Sequence, residues 1–208
     1  MMIDFTSFLK DTLSLLAIVE PLGAIPVFLT LTSGYSSAKR LRVAKKAAMA
    51  GFLILLCALI GGKALLQIFG ISLPSIRVAG GLMFLVMGLQ MIISEPSKIS
   101  DSEISEAESH TDVAVVPLAL PILSGPGAMG AVILLGDKGA ALTQIPKVGF
   151  IIGIVMMTAY LCFRLSNPIG QKLGLTGLNI LNRISGLIVM AIGVEFTLAG
   201  VHQIWGSF

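Results

Sequence analysis

The chain has 208 residues, 55% of them hydrophobic and only 12% charged, with a formal net charge of +3 and a mean hydropathy of +0.96. A soluble domain carries roughly 25% charged residues, because a surface facing water must be solvated. A soluble enzyme and an ordinary nucleic-acid binder are therefore disfavoured, and the composition predicts an all-α polytopic membrane protein.

A helix needs about 20 mostly apolar residues to cross a bilayer, with Lys and Arg tolerated at its ends. In chain order the segments that qualify are 12–32, 47–62, 78–93, 113–136, 148–163 and 184–201. Asp4, Lys10 and Asp11 interrupt the N-terminus, so the first apolar run reads as a retained helix rather than a cleaved signal. Gly80, Gly81 and Gly88 in the third segment suit close helix packing in lipid. Six of the eleven carboxylates fall within residues 95–112, which read as a solvated acidic linker. The expected organisation is a first three-helix repeat over 1–94, a cytoplasmic linker over 95–112 and a second repeat over 113–208. Lys39, Arg40, Arg42, Lys45 and Lys46 crowd the first connection. Positive loops stay in the cytoplasm, which puts both termini on the outer, periplasmic side of a plasma (inner) membrane.

The second half repeats the first at an offset of 104 to 105 residues. Leu16, Gly23 and Ala24 meet Leu120, Gly127 and Ala128; Val43, Leu56 and Cys57 meet Val148, Leu161 and Cys162; Gly81 and Gly88 meet Gly186 and Gly193. Three crossings per half is an odd number, so the second copy must enter the membrane from the opposite side. Inverted repeats of this kind are characteristic of transporters.

Helices 1 and 4 are expected to be broken at matching places. The first carries Glu20, Pro21, Leu22, Gly23 and Ala24 and, shortly after, Pro26. The fourth carries Pro117, Pro121, Ser124, Gly125, Pro126 and Gly127. Proline removes an amide donor and glycine permits unwound backbone. In hydrocarbon such a break must line a cavity or be buried in protein, and paired breaks point to a midplane binding site. Half-helix N-termini suit a carboxylate, C-termini suit a cation, and small residues leave room only for a small polar or zwitterionic solute.

Glu20 and Glu195 are the carboxylates that fall inside apolar segments. Glu20, at the first break, is placed to bind an ammonium, carry a coupling proton or help hold a cation. Glu195 aligns with Gln90 in the repeat, which makes both candidates for coupling or gating. Arg77 joins them, although snorkelling to the interface explains it and Arg183 equally well. Asn167 and Asn182 read as caps or turns, Tyr160 and Trp205 as interface anchors, and Cys57 and Cys162 as small core residues. His110 and His202 have no second ligand near in sequence, so no metal and no cofactor is expected. No catalytic set at plausible spacing appears, and an enzyme is not expected.

Three stretches resemble the MarC family of integral membrane proteins: Glu20-Pro-Leu-Gly-Ala-Ile-Pro-Val-Phe-Leu29, Phe69-Gly-Ile-Ser-Leu-Pro-Ser-Ile-Arg-Val-Ala-Gly-Gly81, and Val116-Pro-Leu-Ala-Leu-Pro-Ile-Leu-Ser-Gly-Pro-Gly-Ala128. The resemblance covers nearly the whole chain. Glu20 and Ala24 depart from the family's common Asn or Asp before the first proline and its frequent Asn at the later position. The resemblance implies six spans in two inverted repeats, related to amino-acid exporters of the LysE type. It also implies transport of a small neutral amino acid such as glycine or alanine, driven by a sodium or proton gradient. Export of antibiotics or other small amphipathic solutes, or a non-transporting scaffold docking through the acidic linker, are the alternatives. The expected partners are a small-molecule substrate and the lipid bilayer, with a homo-oligomer left open.

Overall fold

A computed structural model describes residues 5–32, 34–93, 114–137 and 141–205. The acidic linker expected over 95–112 lies outside them. Among the described residues every regular element is helical: α1 (Phe5–Val19), α2 (Ala24–Leu31), α3 (Ser37–Ile68), α4 (Leu73–Ile93), α5 (Ala114–Leu123, π-helical), α6 (Pro126–Gly136), α7 (Ala141–Arg164) and α8 (Ser166–Trp205). In α8, Gly174 at φ +61° breaks the helix, and the apolar span is Asn179–Trp205. Among the described residues four helices are long and apolar enough to cross a membrane, or five if α1 and α2, bent by 46°, form one span. The segment expected to cross over 113–136 is divided between α5 and α6, so it is not among them.

Local chemistry sets the ends. The Ser36 side chain accepts from the Lys39 amide and caps α3. At the other end of α3, Gly70 takes φ +67°, the Ile71 amide donates to Leu66 O at 2.9 Å and the Gly70 amide to Gln67 O at 3.1 Å. That is a Schellman stop, which needs a residue tolerant of left-handed backbone. In α5, Pro121 has no amide hydrogen to offer the carbonyl four residues back. The helix widens, and the Ser124 amide reaches Ala119 O, five residues back, at 3.0 Å.

Packing is closest between α4 and α8, which run antiparallel. A Cβ added to Gly81 would lie 2.7 Å from Gly193 O, and one on Gly186 would lie 2.9 Å from Gly88 O, so only glycine permits this approach. Helix α3 packs against α7, and α2 docks on α7 through Phe28 and Phe163, whose rings stack at 4.5 Å. The core runs through Leu15, Phe28, Leu55, Phe84, Ile151 and Val155, all fully buried. Large apolar side chains such as Ile60, Phe150, Leu187 and Leu198 cover the outside, as a lipid-facing surface requires. Cys57, expected in the core, is exposed on this outer face, because its position on α3 turns away from α7.

Candidate functional site

The first break lies where expected, over residues 20–23, with Pro26 already inside α2. Glu20 takes φ +48° and is the non-glycine residue in left-handed backbone among those described. That conformation costs roughly 1–2 kcal/mol, more so directly before proline, and strain of this kind gathers at functional sites. Pro21 cannot donate to the end of α1, and the first amides of α2 carry no side-chain cap at Gly23. The first amides of α2 are satisfied within the break: Ala24 N–H donates to Glu20 O at 3.3 Å, Ile25 N–H donates to Leu22 O at 3.1 Å, and Pro26 has none to offer.

The Glu20 carboxyl folds back over Gly23. A Cβ added to Gly23 would lie 2.7 Å from Glu20 Oε1 and 2.9 Å from Asn182 Oδ1. Glu20 Oε1 is buried and has no hydrogen-bond partner. Asn182 was expected as a cap or turn. It lies instead inside α8, where its Nδ2 donates to Met91 O at 3.3 Å. A carbonyl can only accept, so that bond turns Oδ1 toward the break. Oxygens from α8 and from the α1–α2 connection thus both lie against Gly23, whose missing side chain leaves them room. Asn182 reads as a helix-end residue because Asn179, Arg183 and Ser185 surround it at the edge of an apolar segment, and only the packing of α8 brings it to the break.

The second break is chemically quieter. Ser124 occupies the position equivalent to Glu20, is fully buried, and donates to Gly51 O at 3.3 Å on α3. Gly125 begins α6 without a side-chain cap, and Pro126 and Gly127 belong to its first turn rather than to unwound backbone. Gly127 does not line the site, because a Cβ there would lie 2.7 Å from the Phe84 ring of α4. Its smallness serves packing. Of the other expected residues, Pro21 and Ala24 are buried, whereas Leu22 is exposed.

Gln90 and Glu195 are not brought to either break. Both are exposed on the outer faces of α4 and α8, since the glycine faces of those helices turn toward each other. Arg77 donates through Nη1 to Gln203 Oε1 at 3.1 Å, tying the start of α4 to the end of α8. Among the described residues no three His, Cys, Asp or Glu side chains gather as metal ligands.

Two polar clasps close the ends of the bundle. Arg40 donates to Asn167 Oδ1 at 2.6 Å and to Thr32 O at 3.1 Å, joining α3, α8 and the end of α2. Lys63 pairs with Asp137 at 2.6 Å, joining the end of α3 to the end of α6. Asn167 is therefore a clasp residue as well as a helix-start residue. A third pair, Lys147 with Asp11 at 2.9 Å, is nearly buried between α7 and α1. Nothing local in the sequence joins the side-chain partners Arg40–Asn167, Lys63–Asp137 and Lys147–Asp11, which lie 127, 74 and 136 residues apart.

Comparison with known proteins finds membrane proteins. The UPF0056 membrane protein YhcE of Escherichia coli (strain K12) is 35% identical over 207 residues, covering 97% of this chain and 95% of that protein. The UPF0056 membrane protein YvbG of Bacillus subtilis (strain 168) is 33% identical over 200 residues, covering 95% of each. No solved structure matches the chain. Residues 5–205 match the family described as MarC family integral membrane protein. With that match and these relatives, the chain belongs to the MarC family of integral membrane proteins.

Proposed function

We propose that this protein is a secondary transporter that carries a small neutral amino acid such as glycine or alanine across the plasma membrane by alternating access. The observation that carries the reading is the first break. Glu20 Oε1 is buried and unpartnered, and both it and Asn182 Oδ1 lie against Gly23. A buried carboxyl oxygen without a partner requires a donor or a cation, because an unpaired buried polar group is costly. The ammonium group of a small amino acid meets that need. A sodium ion or a proton at Glu20 supplies the coupling.

Six spans in two inverted repeats are the frame for this reading, with α1–α2 and α5–α6 each counted as one broken span. The α4–α8 contacts support it. Shifting by 105 residues turns Gly81 into Gly186 and Gly88 into Gly193, so the contacts Gly81–Gly193 and Gly88–Gly186 exchange with one another. A two-fold axis in the membrane plane has that property. The same register relates Thr32 to Asp137 and Lys63 to the neighbourhood of Asn167, which makes the end clasps counterparts on opposite faces. Opening either face in alternation then means releasing one clasp and keeping the other. The basic start of α3 supports a cytoplasmic Arg40 clasp and termini on the outside.

The test is uptake of radiolabelled glycine and alanine by the purified protein in liposomes, with sodium and proton gradients imposed separately. Accumulation that follows one gradient is the expected result. Flux no greater than in empty liposomes, from protein shown to be folded and inserted, refutes the reading.

A further inference from the structure

We propose that the outer face of α8 is where two copies of this chain pair in the membrane, in the same orientation, with Glu195 of each meeting its counterpart. Glu195 lies inside the apolar span Asn179–Trp205, three residues from its centre at Ile192, or about 5 Å along the axis. Its side chain is exposed there, and among the described residues no hydrogen bond or ion pair reaches it. Gly186, Gly193 and Gly200 turn toward α4, and at about 100° per residue Glu195 stands roughly 160° round the helix from Gly193. A carboxyl at that depth faces lipid tails, which offer it no donor, unless another protein covers it.

The face around Glu195 has the pattern of a helix seam. Ile184, Ile188, Ala191, Glu195, Leu198 and His202 are all exposed and follow one another at alternating spacings of four and three residues. That spacing lets two helices interlock at a shallow left-handed crossing, and one polar residue in the seam fixes the register and the number of strands. Depth decides which part of a second copy meets Glu195. With Gly81 packed on Gly193 and the helices antiparallel, Glu195 lies level with Ala79, so Gln90, exposed on α4, is eleven residues or about 16 Å away along the axis. Copies inserted in the same orientation cannot bring Gln90 to Glu195. A two-fold axis along the membrane normal sets α8 against its own image and places both Glu195 carboxyls at one depth. A carboxyl carrying its proton both donates and accepts, so the two satisfy each other.

The experiment measures energy transfer between donor-labelled and acceptor-labelled copies of the full chain in liposomes as the protein is diluted with lipid. We expect a dimer whose dissociation constant rises about threefold to twentyfold in Glu195→Leu and stays within about twofold in Glu195→Gln, whose amide also donates and accepts. Oxidative cross-linking locates the contact in chains whose Cys57 and Cys162 are replaced by alanine. Ala191→Cys, on the seam, should give a disulfide-linked dimer, whereas Leu82→Cys, exposed at nearly the same depth on α4, should not. A monomer at every dilution, a dimer as stable in Glu195→Leu as in the natural protein, or cross-linking through Leu82→Cys instead of Ala191→Cys overturns the inference.

Discussion

Replacing Gly23 by alanine adds one methyl group where the carboxyl of Glu20 and the amide of Asn182 converge. The Gly23 backbone sits at φ −66°, ψ −24°, which alanine adopts without strain. Stability should therefore hold or rise, by about 0.4–1 kcal/mol through the less flexible unfolded chain. Function should move the other way. The new Cβ would lie 2.7 Å from Glu20 Oε1 and 2.9 Å from Asn182 Oδ1, so to reach ordinary contact at 3.4 Å the two oxygens must retreat by 0.7 and 0.5 Å. Weakening one or two charge-assisted bonds by such a displacement should raise the KM for glycine about tenfold or more. Gly127→Ala is the control at the equivalent position. Its Cβ would meet the fully buried Phe84 ring at 2.7 Å, which is overpacking and should cost about 1–3 kcal/mol. The KM of whatever protein survives should be unchanged. Thermal stability in detergent and uptake kinetics in liposomes read the two effects separately. An unchanged KM in Gly23→Ala, or a loss of stability matching that of Gly127→Ala, would refute the placement of the site.

Other perturbations have definite signs. Lys147→Met removes the nearly buried cation beside Asp11 and should cost about 1.5–3 kcal/mol in a detergent unfolding assay. The double change with Asp11→Leu should restore most of it. Lys63→Met removes an exposed pair, so stability should change by less than about 1 kcal/mol, while the rate of glycine exchange changes if the clasp gates one face. A larger loss of stability with unaltered exchange would make the pair structural only. Glu20→Gly relieves the left-handed backbone and should stabilise by about 1 kcal/mol while abolishing uptake. Gly81→Ala forces a methyl against backbone and should destabilise the α4–α8 pair by about 1–3 kcal/mol, read as a lower melting temperature.

The parts of this molecule that were legible from sequence are those governed by local chemistry. Apolar length predicted the helices of α3, α4, α7 and α8, and the Glu20-Pro21 and Ser124-Gly125 runs located both interruptions, because proline and glycine act on their own backbone. The consequences of those interruptions were less legible. Pro117 and Pro121 were expected to unwind the helix, whereas the chain absorbed the lost donor by widening to a π-helix. Residue roles that depend on a distant partner could not be read. Gly127 looked like its equivalent Gly23, yet one faces an aromatic ring and the other a carboxyl. Asn182 stands far from Glu20 along the chain and meets it only because α8 packs on α4 and α2. Gln90 and Glu195 were singled out by rarity alone, and rarity does not report which face of a helix a side chain occupies.

Gradient-driven glycine uptake by the natural protein beside Glu20→Gln decides whether the buried carboxyl at the first break works in transport. The glutamine variant keeps the volume of the side chain but replaces the carboxylate with a neutral amide that offers a donor as well as an acceptor. We expect accumulation by the natural protein under one of the two imposed gradients, and its loss in Glu20→Gln despite an unchanged elution profile and melting temperature. Equal accumulation by both proteins would contradict it, because the buried carboxyl at the first break would then have no part in binding or coupling.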